Sequence, residues 1–159
     1  MLERMYKIPK SSFFLFGPRG TGKSTWFKNV LNPDLSIDLL KSSEFLELQR
    51  NPSHLEDKVA HLAENSLILI DEVQKLPVLL NEVHRLIESH SLRFGLTGSS
   101  SRKLKNAEVN LLGGRAHTYR FFPFSFFELK NKISINEALK FGTLPIVFKD
   151  FSLAEETLA

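Results

Sequence analysis

The chain has 159 residues, of which 42% are hydrophobic and 25% charged, a balance that suits one soluble domain with a real core. With 21 Lys and Arg against 18 Asp and Glu the net charge is +3, and the signs are interleaved, so a nucleic-acid or phosphate partner is permitted but not demanded. There is no cysteine, which excludes disulfides, thiolate metal sites and thiol nucleophiles.

Met1 to Lys10 reads as an arm or short helix. Charges at Glu3, Arg4, Lys7 and Lys10 interrupt any signal-peptide core. No apolar run anywhere approaches the ~20 residues of a membrane span, so a cytoplasmic protein without membrane partners is expected. Ser12 to Phe16 is apolar and predicts the first strand. It runs into Gly17-Pro18-Arg19-Gly20-Thr21-Gly22-Lys23-Ser24, which reads G-x-x-x-x-G-K-[ST], the phosphate-binding P-loop. Glycines let the backbone wrap a phosphate chain so that successive N–H groups face its oxygens. A helix from Lys23 to about Val30 adds its positive end. It should stop at Asn32-Pro33, because proline disfavours helix in the residue before it.

Ser36 to Leu39 predicts a second strand. Ser42 or Ser43 would cap a helix over Glu44 to Arg50. Pro52 then opens a helix over Ser53 to Glu64, with Leu55, Val59 and Leu62 on one face. Ser66 to Ile70 is a continuous apolar run, the pattern of a strand covered on both faces in a parallel sheet. After Pro77, the positions Leu79, Leu80, Val83, Leu86 and Ile87 repeat helically up to Ser89. Leu92 to Thr97 predicts the fourth strand, ending in Gly98-Ser99-Ser100-Ser101. Arg102 to Asn106 and Glu108 to Leu112 read as helical or irregular, and Gly113-Gly114 as a stop. Ala116 to Phe121 predicts a fifth strand, broken by Pro123. Phe124 to Leu129 and Ile135 to Phe141 read as short helices. Thr143 to Phe148 fits a strand or a packed loop, and Phe151 to Ala159 carries no clear pattern. Strands alternating with helices imply βαβ units: an α/β, three-layer fold with a mostly parallel five-stranded sheet.

The chemistry gathers in four places. Beyond the P-loop, Leu67-Ile68-Leu69-Ile70-Asp71-Glu72 is a Walker B pattern. Asp71 would orient Mg²⁺, together with the Ser24 hydroxyl, and Glu72 would deprotonate an attacking water. Lys23 would reach the β- and γ-phosphates. The third place, Thr97-Gly98-Ser99-Ser100, would share the same sheet edge; a hydroxyl there positions the water or senses the γ-phosphate, and otherwise the segment is a Ser-rich turn. The fourth, Gly113-Gly114-Arg115, offers a guanidinium for a neighbouring subunit's phosphate, or a surface ion pair. The histidines, His54, His61, His84, His90 and His117, show no zinc spacing. The Phe121–Phe127 aromatic cluster lacks the basic residues that base stacking wants, and reads as core or interface.

Gly17 to Thr25, then L-I-L-I-D-E-V-Q at Leu67 to Gln74, then L-T-G-S-S at Leu96 to Ser100, then Leu111 to Arg115 with the following F-P-F-S-F-F-E-L, resemble the prokaryotic predicted ATPases of the AAA+ superfamily. The resemblance covers about Ser11 to Phe148. It implies an AAA+ type P-loop NTPase with ATP and Mg²⁺ held by Gly17 to Thr25 and Asp71. It further implies Ser99, or Thr97, as sensor 1 and Arg115 as an arginine finger acting in a homo-oligomer. Members of the family usually continue into a helical lid and a C-terminal domain. This chain stops at Ala159, so the resemblance implies a single ATP-binding domain over residues 1–159 without them. The residues themselves favour ATP over GTP, because no N/T-K-x-D segment appears; Asn131-Lys132-Ile133-Ser134 ends in Ser. Three activities follow from this reading: ATP hydrolysis, a nucleotide-gated binding module with little or no hydrolysis, and, more weakly, a small-molecule kinase.

Overall fold

The first strand, β1 (Ser12–Phe16), is buried along its whole length, and the molecule is layered about it. The computed structural model describes residues 4–7, 9–99, 112–129 and 133–145. In chain order β1 is followed by α1 (Lys23–Trp26), a π-helical turn (Phe27–Leu31), β2 (Leu35–Asp38), α2 (Ser42–Arg50) and α3 (His54–Val59). Then come β3 (Leu67–Asp71), a 3₁₀ turn (Val73–Lys75), α4 (Leu79–His90), β4 (Arg93–Gly98), β5 (Ala116–Arg120), α5 (Phe126–Leu129) and α6 (Ile135–Phe141).

The strands form one sheet in the order β2-β3-β4-β1-β5. Every pairing is parallel. Side chains alternate across a strand, and β1 divides the core accordingly. Phe14 and Phe16 join α2, α3 and α4 through Leu48, Leu55, Val83 and Leu86. Phe13 and Leu15 point the other way, onto Trp26, Phe27 and Leu31. These are the three layers that the alternation of strands and helices predicts. Gly95 in β4 faces the second of them: a Cβ there would meet the Phe27 and Phe13 rings at 2.9 and 3.0 Å. The edge strands β2 and β5 are partly exposed, whereas β3 is buried throughout.

Several boundaries differ from the sequence pattern. The first helix becomes a π turn at Phe27, which keeps Phe27 and Leu31 buried, and it ends on Asn32 at φ 43° ahead of Pro33. The pattern over Ser53 to Glu64 is helical only as far as Val59. Beyond it Leu62 donates its N–H to the Val59 carbonyl at 2.9 Å, and Asn65 takes φ 62°, so the chain turns back into β3. The predicted serine cap of α2 is replaced by Lys41, with no side-chain cap bond. The aromatic cluster splits: Phe121 and Phe124 are buried, while Phe122, Phe126 and Phe127 are exposed. The segments predicted at Arg102 to Asn106 and Glu108 to Leu112 (Leu112 apart) and at Phe151 to Ala159, residues 146–148 of the Thr143 to Phe148 segment, and Ser100 and Ser101 lie outside the described residues. Among the described residues no helix is long and apolar enough to cross a membrane.

Candidate functional site

In a parallel sheet all the strands deliver their following loops to one edge. The register puts Phe16 of β1 opposite Gly98 of β4, and Ile70 of β3 opposite Leu96. Gly17, Asp71 with Glu72, and Ser99 therefore emerge side by side. β1 lies between β4 and β5, where the chain, having returned through β3 and β4, crosses over to the far side. Such a reversal of strand order opens a crevice above the sheet.

The loop from Gly17 to Thr25 spans that crevice. Gly17 donates its N–H to the Gly98 carbonyl at 3.3 Å, and a Cβ on Gly17 would lie 2.0 Å from the Phe121 carbonyl oxygen. Only glycine lets the loop leave β1 so close to β5. Gly20 and Gly22 take φ of 80° and 85°, the left-handed region in which glycine costs least. Thr21, fully buried, donates its hydroxyl to the Pro18 carbonyl at 2.9 Å. Pro18, Arg19, Gly20 and Thr25 are exposed. Lys23 is buried and folds back, its Nζ donating to the Gly17 and Pro18 carbonyls at 2.6 and 2.8 Å. Burial pulls its ammonium below the ordinary lysine value; Glu72 and Asp71 oppose that pull, and Arg19 adds to it.

Ser24 donates its hydroxyl to Asp71 Oδ2 at 2.7 Å. The other carboxylate oxygen of Asp71 accepts from the Thr97 hydroxyl and, at 3.1 Å, from the Glu72 N–H. Asp71 is thus aimed by β4 on one side and faces the loop on the other. Glu72 sits in the left-handed region, φ 59°, an uncommon place for a side chain this long. The turn carries its carboxylate out over the edge, where Gln74 Nε2 donates to Glu72 Oε2 and, at 3.3 Å, to Ser99 Oγ. The Gln74 Oε1 is buried without a partner among the described residues.

Lys23, Ser24, Asp71, Glu72, Thr97 and Ser99 are thus brought together. Arg115 is not. It precedes Ala116, which pairs with Ser12 at the opposite end of β1, and the length of β1 puts about 13 Å between the two edges. Arg115 donates to Glu88 on α4, with Nε to Oε1 at 3.0 Å. The sequence motifs single out Thr97 and Ser99 as alternatives, yet they do different things: Thr97 holds Asp71, and Ser99 meets Gln74. Gln74 itself was missed. It closes the L-I-L-I-D-E-V-Q segment, but the segment gives it no role until the 3₁₀ turn folds it back. Among the described residues no cluster of three or more His, Asp or Glu side chains is placed to hold a metal. One carboxylate beside one hydroxyl, Asp71 with Ser24, is the sparse oxygen set that suits Mg²⁺ shared with substrate phosphates.

No curated protein is found to match the chain. Among solved structures it is similar to the FIGL-1 AAA domain, with a TM-score of 0.56 and 20% identity, over 77% of this chain and 46% of that one. It also matches the Aeropyrum pernix ORC1 protein, solved in complex with DNA, with a TM-score of 0.47 and 17% identity, over 79% of this chain and 42% of that one. The chain therefore spans less than half the length of either, and at such identity the likeness to the FIGL-1 domain is one of fold. A family model described as an AAA domain matches residues 9–130, from before β1 to just past α5. The match takes in the whole sheet and every residue of the crevice, and the chain belongs to this AAA-domain family.

Proposed function

We propose that this domain binds ATP with Mg²⁺ and hydrolyses its terminal phosphate. The observation that carries the reading is the bond from Ser24 to Asp71, with Glu72 next in the chain. It joins the phosphate loop to an acid that would share the metal, and sets a second acid beside it. Glycines at the two left-handed positions let the loop N–H groups turn toward a phosphate chain. Ser24 and Asp71 would hold Mg²⁺, which when bound neutralises phosphate charge.

Glu72 takes the proton of a water as its oxygen attacks the γ-phosphorus. The bond to the bridging oxygen breaks, and its electron pair leaves with ADP. Gln74 donates a hydrogen bond to the Glu72 carboxylate and ties it to Ser99, which holds the base at the edge of β4. Lys23, released from the loop carbonyls it now meets, places its charge on the β- and γ-phosphates. Arg115 lies too far from its own loop to reach it, so any part it plays is on the nucleotide of a neighbouring copy, after parting from Glu88. A site so completed favours a homo-oligomer.

The experiment is phosphate release by the wild type and by Glu72→Gln in ATP and Mg²⁺, with ATP binding measured in both. Loss of turnover of ~100-fold or more in the variant, with ATP still bound, supports hydrolysis by Glu72. ATP bound by both with no turnover in either sinks the ATPase reading and leaves the nucleotide-gated module. Phosphate transfer to an added acceptor, with no ATP lost in water alone, marks a kinase.

A further inference from the structure

Outside the crevice, the most thoroughly enclosed charged pair among the described residues is Arg4 with Glu128. Both side chains are 5% exposed. Arg4 lies in the arm before β1 and Glu128 in α5, far apart in the chain. The guanidinium is held at both terminal nitrogens and against two aromatic rings. Nη1 donates to Glu128 Oε2 at 3.3 Å, and Nη2 donates to the Thr21 carbonyl at 2.5 Å. Its Cζ stands 4.5 Å from the Phe121 ring centre and 3.9 Å from that of Phe124, within reach of a cation–π interaction. Glu128 is as fully engaged. It accepts from the Met5 N–H at 2.9 Å, from the Ser125 N–H at 2.8 Å and from the Ser125 hydroxyl at 3.1 Å.

Thr21 is in the phosphate loop, between the two glycines at positive φ. A peptide unit is planar and trans, so its carbonyl and its N–H point in opposite directions. Arg4 holds the Thr21 carbonyl, and so fixes the direction of the Gly22 N–H on the other side of the same plane. Gly22 is also the residue that opens α1, as its N-cap. Neither flanking glycine has a side chain to fix this plane, and the Thr21 hydroxyl is spent on Pro18. The arm supplies what the loop lacks.

We propose that Arg4 is a positioning residue of the phosphate site: anchored on Glu128, it sets the Thr21–Gly22 peptide in the orientation that presents the Gly22 N–H to phosphate. This rests on the nucleotide-binding reading above. The bonds of the arm and the binding of phosphate are then coupled, and coupling is reciprocal. Displacing the Arg4 fork weakens ATP. Bound ATP, in turn, steadies the arm.

The test uses the whole chain. ATP affinity in Mg²⁺ is measured for wild type, Arg4→Lys, Glu128→Gln and the double variant, each shown folded by its far-UV spectrum and thermal transition. Arg4→Lys keeps the charge but has no fork, so one ammonium must serve two acceptors. Affinity should fall ~10-fold in Arg4→Lys and in Glu128→Gln, and no further in the double variant, because both act along one route. Adenosine, which carries no phosphate, should distinguish none of them. In the wild type alone, ATP should slow hydrogen exchange at the Met5 N–H, the arm amide bonded to Glu128. This second measurement stands even if a variant does not fold. A folded Arg4→Lys with wild-type affinity, or a Met5 amide whose exchange ATP leaves unchanged, overturns the proposal alone. A wild type that binds no ATP overturns it together with the reading on which it rests.

Discussion

Gly98 ends β4 inside the crevice, and its missing side chain is what admits Gln74. A Cβ there would lie 2.5 Å from Gln74 Oε1 and 3.2 Å from the Phe16 ring. The Gln74 amide is a mobile end and Phe16 is core, so in Gly98→Ala it is Gln74 that shifts. Glu72 then loses the partner that holds it. Turnover should fall ~10-fold while ATP affinity stays within ~2-fold, since misplacing a base by an ångström costs rate rather than binding. Steady-state kinetics beside an ATP titration would separate the two, and equal losses in both would point to a damaged loop instead. At this scale the residue types were legible and their contacts were not. A P-loop and a D-E pair can be read because their chemistry demands those types at those spacings. That Thr97 aims Asp71 while Ser99 meets Gln74 depends on strand register and on a 3₁₀ turn, neither of which a motif encodes.

The elements divide between those dictated by pattern and those dictated by neighbours. α4 follows its apolar spacing closely because one whole face is buried: Leu79, Leu80, Val83 and Leu86 are at most 1% exposed. Leu86→Ala should cost about 2–5 kcal/mol. Leu139→Ala on α6, where the side chain is 80% exposed, should stay within about 0.5 kcal/mol. Chemical denaturation of the two variants tests this contrast, and a comparable loss in both would mean that α6 is covered in solution. β1 and β3 were legible for a similar reason, as unbroken apolar runs have few places to go other than mid-sheet. The first helix keeps its length but changes to a π turn, and the third ends short of its pattern, because the sheet sets where the chain must return. The π turn at Phe27–Leu31 is an adjustment to tertiary demands for which local propensity carries no sign, whereas Asn65 takes a left-handed turn that asparagine adopts more readily than most residues.

For the molecule as a whole, the strand order β2-β3-β4-β1-β5 gathers the candidate site residues, Arg115 apart, at one edge of the sheet. The alternation of strands and helices implied the layers and the parallel sheet, but not which strand would neighbour which. That order brings Asp71 to Ser24 and sends Arg115 to the far edge, where it pairs with Glu88. The arm and α5 close the phosphate loop from outside through Arg4 and Glu128. Burial by itself would raise the Glu128 carboxyl. Donors from Ser125 and Met5, with Arg4 nearby, outweigh it and hold the group below its ordinary range. A carboxyl depressed in the folded state stabilises the fold above its unfolded value of about 4.3, and that contribution is lost as pH falls through the folded value. Acid unfolding should therefore be less steep below about pH 4.3 in Glu128→Gln than in the wild type. Thermal transitions followed across that range would show it, and parallel curves would assign the acid sensitivity to other groups.

The most direct measurement is a calorimetric titration of ATP, with and without Mg²⁺, into the wild type and into Lys23→Ala. The proposed function predicts a single saturable site in the wild type, tighter with Mg²⁺ because Ser24 and Asp71 would hold the metal. It predicts a loss of ~10-fold or more in Lys23→Ala, whose stem no longer carries a charge to the phosphates. Binding of equal strength in the two proteins, or none in either, would contradict the assignment of the Gly17–Ser24 loop as the nucleotide site.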